Sequence, residues 1–169
     1  GEGRKHTEDT IQVKIPEGVA EGQYLTLRGE GNCGPRGGAS GDLLVVITEK
    51  QDNFYTREEN DLHCEVKVPV YKLVLGGSQR IPGVDGTEIN IKLAAGTQSG
   101  CTLRLREHGL PALQSRGPRG NLFVNIVADI PKDLSSREKE LYKELAEIRK
   151  DKDTAEEESL LDKLKNIFS

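Results

Sequence analysis

The side chains most able to do chemistry are few and far apart. Cys33, Cys64 and Cys101 are each separated by more than thirty residues and form no C-x-x-C pair, so their spacing signals neither a zinc site nor a redox couple. An odd number of scattered cysteines fits a reducing compartment, where each serves as a small hydrophobe. His6, His63 and His108 are equally isolated, with no Ser, Cys or carboxylate at the spacing of a catalytic triad. The acidic runs Glu58-Glu59 and Glu156 to Glu158 read as solvated faces rather than paired acid and base. One motif is more suggestive: Gly29-Glu30-Gly31-Asn32-Cys33-Gly34 spells G-x-G-x-x-G after an apolar alternation, the pattern of a dinucleotide loop. Such a loop must run into a helix whose N-terminus holds the pyrophosphate, yet PRGGASGD follows, rich in helix breakers. These residues predict no nucleotide site and no catalysis, and the chain reads as a protein that is not an enzyme.

Composition narrows the remaining classes. The chain has 169 residues, 34% hydrophobic and 31% charged, with a net charge of -4, values that suit a folded, soluble protein. No apolar run approaches the roughly 20 residues that span a bilayer, and no secretory h-region opens the chain. The mild acidity argues against nucleic acid, which calls for a basic stripe. With 4% aromatics and no Trp, stacking platforms for bases are not expected either. The 19 glycines fall between short apolar alternations, which predicts many turns and mostly β structure.

An internal repeat organises those alternations. IQVKIPEGVAEGQYLTLRGEG from Ile11 aligns with INIKLAAGTQSGCTLRLREHG from Ile89, and, after one inserted residue, GDLLVVI from Gly41 aligns with GNLFVNI from Gly120. Ile11, Val13 and Ile15 fall on Ile89, Ile91 and Leu93, and Gly18 and Gly22 fall on Gly96 and Gly100. So long a period means two copies of a whole domain rather than a solenoid. Each copy predicts an alternating strand, a G-x-x-x-G turn, a second strand, a glycine-rich loop and a third strand. Between the copies, LHCEVKVPV reads as a strand, YKLVLGG as a helical turn capped by glycine, and Asp85-Gly86 as a hairpin turn. The expected fold is mostly β: two small sandwich-like domains, residues 1–56 and 57–131, then a helical tail at 132–169.

The tail opens with Ser135 three residues before Glu138, the spacing of a capping box. Leu134, Leu141, Leu145 and Ile148 then recur at helical spacing, and Leu160, Leu161, Leu164, Ile167 and Phe168 form a second apolar face. Between them, Arg149 to Glu158 is almost wholly charged and reads as a solvated helix or linker.

What is left to carry function is apolar strand surface. Leu43, Leu44, Val45, Val46 and Ile47 are apolar on both faces of one strand. One face is core; the other needs cover, which a bound segment laid along the sheet would supply.

The ordered set IPEGV, GEG, GDLLV, NDLHCEV, LGG, GTQSG and IPKDLS resembles the C-terminal region of DnaJ-type (J-domain) co-chaperones, to about residue 148. The resemblance implies a tandem of β-rich domains that holds unfolded polypeptide clients, passes them to a DnaK-type chaperone, and forms a homodimer through its C-terminal end. The scattered cysteines and the bacterial-like motif set suggest a cytoplasmic protein, with an organelle as the alternative. Carried over by position, a peptide groove would be walled by Ile11 with Val13, and by Val45 with Leu43 and Ile47. Dimerisation would fall to Ile130, Leu141, Leu145 and Ile148. The Gly1-Glu2-Gly3-Arg4 opening is similar to the end of the family's zinc region, so zinc is expected only in an adjoining cysteine-rich segment and no cofactor in this one. The resemblance also implies that the first β-domain, residues 1–56, is incomplete, being the portion after the zinc region. The H-P-D tripeptide of the J-domain is not in this sequence, Gln51 stands where the family usually has His, and Asn121 stands where the first copy keeps Asp42. A different reading makes the chain a structural dimerisation scaffold, with client binding located outside it.

Overall fold

The computed structural model describes residues 8–34 and 38–167; residues 1–4, His6, residues 35–37 and Phe168 lie outside them, as do the side chains of Leu160, Leu161, Leu164 and Ile167. Two compact units divide the chain, residues 1–129 and 130–169. Both copies of the repeat lie in the first.

In the first copy, strands β1 (Tyr24–Leu27) and β2 (Leu43–Val46) form a two-stranded antiparallel sheet. After it come β3 (Thr56–Glu58), β4 (Asp61–Pro69), helix α1 (Val70–Leu75), β5 (Gly77–Pro82), β6 (Glu88–Leu93), β7 (Thr102–Leu105) and β8 (Leu122–Asp129). A four-stranded sheet has the order β3-β4-β8-β7, and β5 and β6 make a separate hairpin. The fold is mostly β, as the glycine-punctuated alternations predict. The hairpin turns where Asp85-Gly86 predicts, with Gly86 at φ +81° and Thr87 Oγ1 donating to Asp85 Oδ1 at 2.6 Å. Helix α1 ends at Gly76 (φ +82°), a conformation glycine adopts at little cost.

The repeat is exact at the level of register. Leu25 faces Val45 and Leu27 faces Leu43 across β1 and β2; their counterparts Leu103 and Leu105 face Val124 and Leu122 across β7 and β8. Gly22 N–H donates to Ile47 O and Ile47 N–H to Gln23 O, just as Gly100 N–H donates to Ile126 O and Ile126 N–H to Cys101 O. The loops close alike, through Gly31 N–H to Gly41 O and Gly109 N–H to Gly120 O.

Packing differs sharply. The core lies in the second copy and the segment before it, where Leu62, Cys64, Val66 and Val68 alternate inward on β4 and cluster with Leu122, Val124 and Ile126 of β8 and Ile81, Ile91 and Leu93 of the hairpin. β4 runs parallel to β8 with Leu62 beside Leu122 and Cys64 beside Val124. Each such side chain fully removed from water contributes about 1.5–3 kcal/mol. The strand start is tightly fitted: a Cβ on Gly120 would overlap the Asn60 carbonyl, and Asn121 N–H donates to Asp61 Oδ1 at 2.6 Å.

One sequence expectation fails here. Ile11, Val13 and Ile15 alternate as a strand should, yet residues 8–23 form no strand. Their counterpart β6 exists because β5 hydrogen-bonds to it, from Gly77 opposite Leu93 to Pro82 opposite Glu88. Among the described residues nothing takes that place beside Ile11–Ile15, and alternation without a partner makes no ladder.

The second unit is one helix, α2 (Ser136–Ile167), 32 residues long and so about 48 Å; the charged stretch after Ile148 is helical. The capping box is formed: Ser135 N–H donates to Glu138 Oε2 at 2.7 Å, and Glu138 N–H to Ser135 Oγ at 3.3 Å. The Ser135 hydroxyl, 2.7 Å from Glu138 Oε2, and the Ser135 N–H both donate to the Glu138 carboxylate and hold its pKa below the ordinary value.

Candidate functional site

The β1–β2 sheet sorts its apolar residues by the pleat. Leu25, Leu27, Leu43 and Val45 share one half-buried face, with Ile47 continuing it just past the strand end. Ile11 and Val13 are also half-buried. The opposite face is open, with Tyr24, Leu44 and Val46 at 67%, 60% and 66% exposure. Tyr24 and Val46 are directly paired across the sheet, which joins their side chains into one apolar surface. Thus the predicted groove residues Leu43, Val45 and Ile47 are the better covered set. The exposed set is the one between them, and the only sequence signal for it is that the run is apolar on both faces.

A depression of about 600 Å³, lined by Glu21, Glu49, Asp52, Tyr55, Arg57 and Leu110, lies between the first copy and β3. A shallower one of about 340 Å³ lies over the outer face of the four-stranded sheet, beside Phe54, His63, Phe123 and Asn125. None of Ile11, Val13, Leu43, Val45 and Ile47 lines either. The outer face carries a row the sequence did not reveal. His63 stacks on Phe123 at 5.0 Å, Arg104 lies 6.0 Å above the same ring, and His63 Nε2 sits 3.0 Å from Glu58. Four strands, β3, β4, β7 and β8, bring this row together, and local spacing cannot show such a juxtaposition.

The buried titratable groups are not poised for chemistry. Burial pushes the Cys64 thiol up to about 11 and, first among its causes, the Tyr55 phenol up to about 12. The Cys64 thiol is therefore protonated and inert at neutral pH, while the Tyr55 hydroxyl donates to Pro82 O. Among the described residues no three His, Cys, Asp or Glu side chains gather to hold a metal ion. Cys33, Cys64 and Cys101 are exposed, buried and half-buried in turn.

The predicted dimerisation residues lie on the second unit. Leu141, Leu145 and Ile148, at i, i+4 and i+7, share one face of α2 with 47%, 50% and 72% exposure, and Ile130 is 74% exposed. No helix of the chain is long and apolar enough to cross a membrane among the described residues.

A duplicated, glycine-punctuated β module with open apolar strand surface, followed by a long charged helix, defines the class. Residues 2–131 match the DnaJ C-terminal domain. The chain is 39% identical over 173 residues to the chaperone protein DnaJ of Chlorobaculum tepidum, covering 100% of this chain and 42% of that protein. It is 43% identical over 146 residues to the chaperone protein DnaJ of Leptospira biflexa, covering 86% of this chain and 39% of the relative. The chain therefore belongs to the DnaJ C-terminal domain family, and it spans about two fifths of the length of the chaperones it matches.

Proposed function

We propose that this chain is the client-holding and dimerising part of a DnaJ-type co-chaperone, acting in protein folding and the stress response of the cytoplasm without catalysis of its own. Non-native polypeptide is held against the first copy, where Ile11, Val13, Leu43, Val45 and Ile47 wall an apolar groove, and is delivered to a DnaK-type chaperone. Two copies associate through Ile130, Leu141, Leu145 and Ile148. The observation that carries the reading is that the first copy repeats the strand registers of the second yet leaves its apolar residues half-buried or exposed. An apolar client side chain entering such a surface gains about 1.5–3 kcal/mol, which suits weak, promiscuous capture.

The test is an anisotropy titration of the chain into a labelled, extended Leu-rich peptide, beside Val45→Asp. Saturable binding that Val45→Asp weakens, with the second copy still folded, supports the groove. No binding by a folded dimer favours the scaffold reading, to which the exposed α2 stripe lends support. Under that reading, deleting residues 132–169 abolishes dimerisation and nothing else.

A further inference from the structure

We infer that Arg57 is a latch that fastens the first copy of the repeat to the second, and that the turn at Gly18–Gly22 is the surface it grips. Arg57 lies on β3, at the border of the two copies, with its side chain only 17% exposed. Its Nη1 donates to Val19 O at 3.0 Å and to Glu49 Oε2 at 3.1 Å, both in the first copy. Its Nε donates to Glu59 O at 2.7 Å, which anchors the guanidinium to its own chain reversal. A planar fork of donors can serve two carbonyls and a carboxylate together; a lysine ammonium on a flexible stem cannot hold that geometry.

The same turn is held from its other side. Gln114 N–H donates to Glu17 O at 3.0 Å, and Gln114 reaches it in a left-handed conformation (φ +54°), uncommon for a residue with a side chain. Gly18 packs so closely that an added Cβ would stand 2.5 Å from Pro111 O and 2.7 Å from the Ala112 carbonyl carbon. The duplicated turn provides an internal control. Gly96 has φ +78° where Gly18 has +75°, and Thr97 N–H donates to Ala94 O as Val19 N–H does to Pro16 O, yet nothing lies within 4 Å of a Cβ on Gly96. The shape of the turn is common to both copies, whereas the contact belongs to the first alone. Because the buried core cluster begins at Tyr55, this joint, rather than a shared core, sets where the first copy stands on the second.

Amide exchange of Gln114, followed by NMR on the whole chain, reads the joint directly, with the Ile126 amide as a reporter of the second copy's ladder. Arg57→Ala is expected to lower Gln114 protection about tenfold or more and leave Ile126 unchanged, and Arg57→Lys is expected not to restore it. Gly18→Ala should lower Gln114 protection, while Gly96→Ala, which carries the same left-handed backbone penalty, should not. The latch is overturned if Gln114 protection survives Arg57→Ala, if Ile126 falls in parallel with it, or if the two glycine variants behave alike.

Discussion

The two copies of the repeat share a hydrogen-bond pattern and differ in burial. Leu122, Val124 and Ile126 are fully buried on β8, while Leu43, Val45 and Ile47, which occupy the same register on and just past β2, are only half covered. The neighbouring strand accounts for the difference. β8 lies between β7 and the parallel strand β4, whereas β2 has β1 alone among the described residues. Glycine turns and alternation are common to both strand pairs; enclosing their side chains takes a third strand and a covering layer. The second copy is thus the stable platform, and the first is the surface left available.

Mutations at matched positions sharpen this contrast. Leu122→Ala should destabilise the second copy by about 2–5 kcal/mol through lost transfer energy and an unfilled cavity. Leu43→Ala, at a half-solvated position, should cost about 1 kcal/mol or less. Denaturant unfolding of the two variants checks the difference, and equal losses would mean that the first copy is packed as well as the second.

The glycines at the strand starts make the next pair. Gly120→Ala forces a methyl into the Asn60 backbone, an overpacking expected to cost about 3 kcal/mol. At Gly41 the nearest neighbour of an added Cβ is Asn32 O at 3.9 Å, so Gly41→Ala should be close to neutral. Thermal melts of both test whether that space is open.

Alkaline pH should act first on the core formed by the second copy and the segment before it. Cys64 and Tyr55 have folded pKa values raised to about 11 and about 12, from ordinary values of 9.0 and 10.0. For a raised acid the unfolded chain loses its proton first, so the stabilisation is complete below the ordinary value and is lost as pH rises toward the folded one. Stability measured by urea titration should therefore decline from about pH 9 to 12, and Tyr55→Phe should flatten the upper part of that limb.

The smallest effect belongs to the second unit. Ser135→Ala removes one half of the capping box and should cost about 1 kcal/mol, visible as faster exchange in the first turn of α2 and not in β4 or β8.

Much of this architecture is legible in the residues. That the two strand pairs share one register follows from aligning Leu25 with Leu103 and Val45 with Val124, the hairpin from Asp85-Gly86, and the helix start from Ser135 and Glu138. The failures have a common physical origin. Ile11, Val13 and Ile15 alternate correctly, but a ladder is made by a partner strand that no local pattern reports. The five apolar residues from Leu43 to Ile47 announce two apolar faces without saying which one lies open. Arg57 grips backbone carbonyls, and carbonyls carry no sequence signature.

Under the proposed function the first copy holds the client and the second supports it. NMR mapping of a titrated Leu-rich peptide on the isotopically labelled chain tests it most directly. Ile11, Leu43, Val45 and Ile47 should shift saturably while Leu122, Val124 and Ile126 stay in place. Shifts confined to the second copy, or spread along α2 alone, would contradict it.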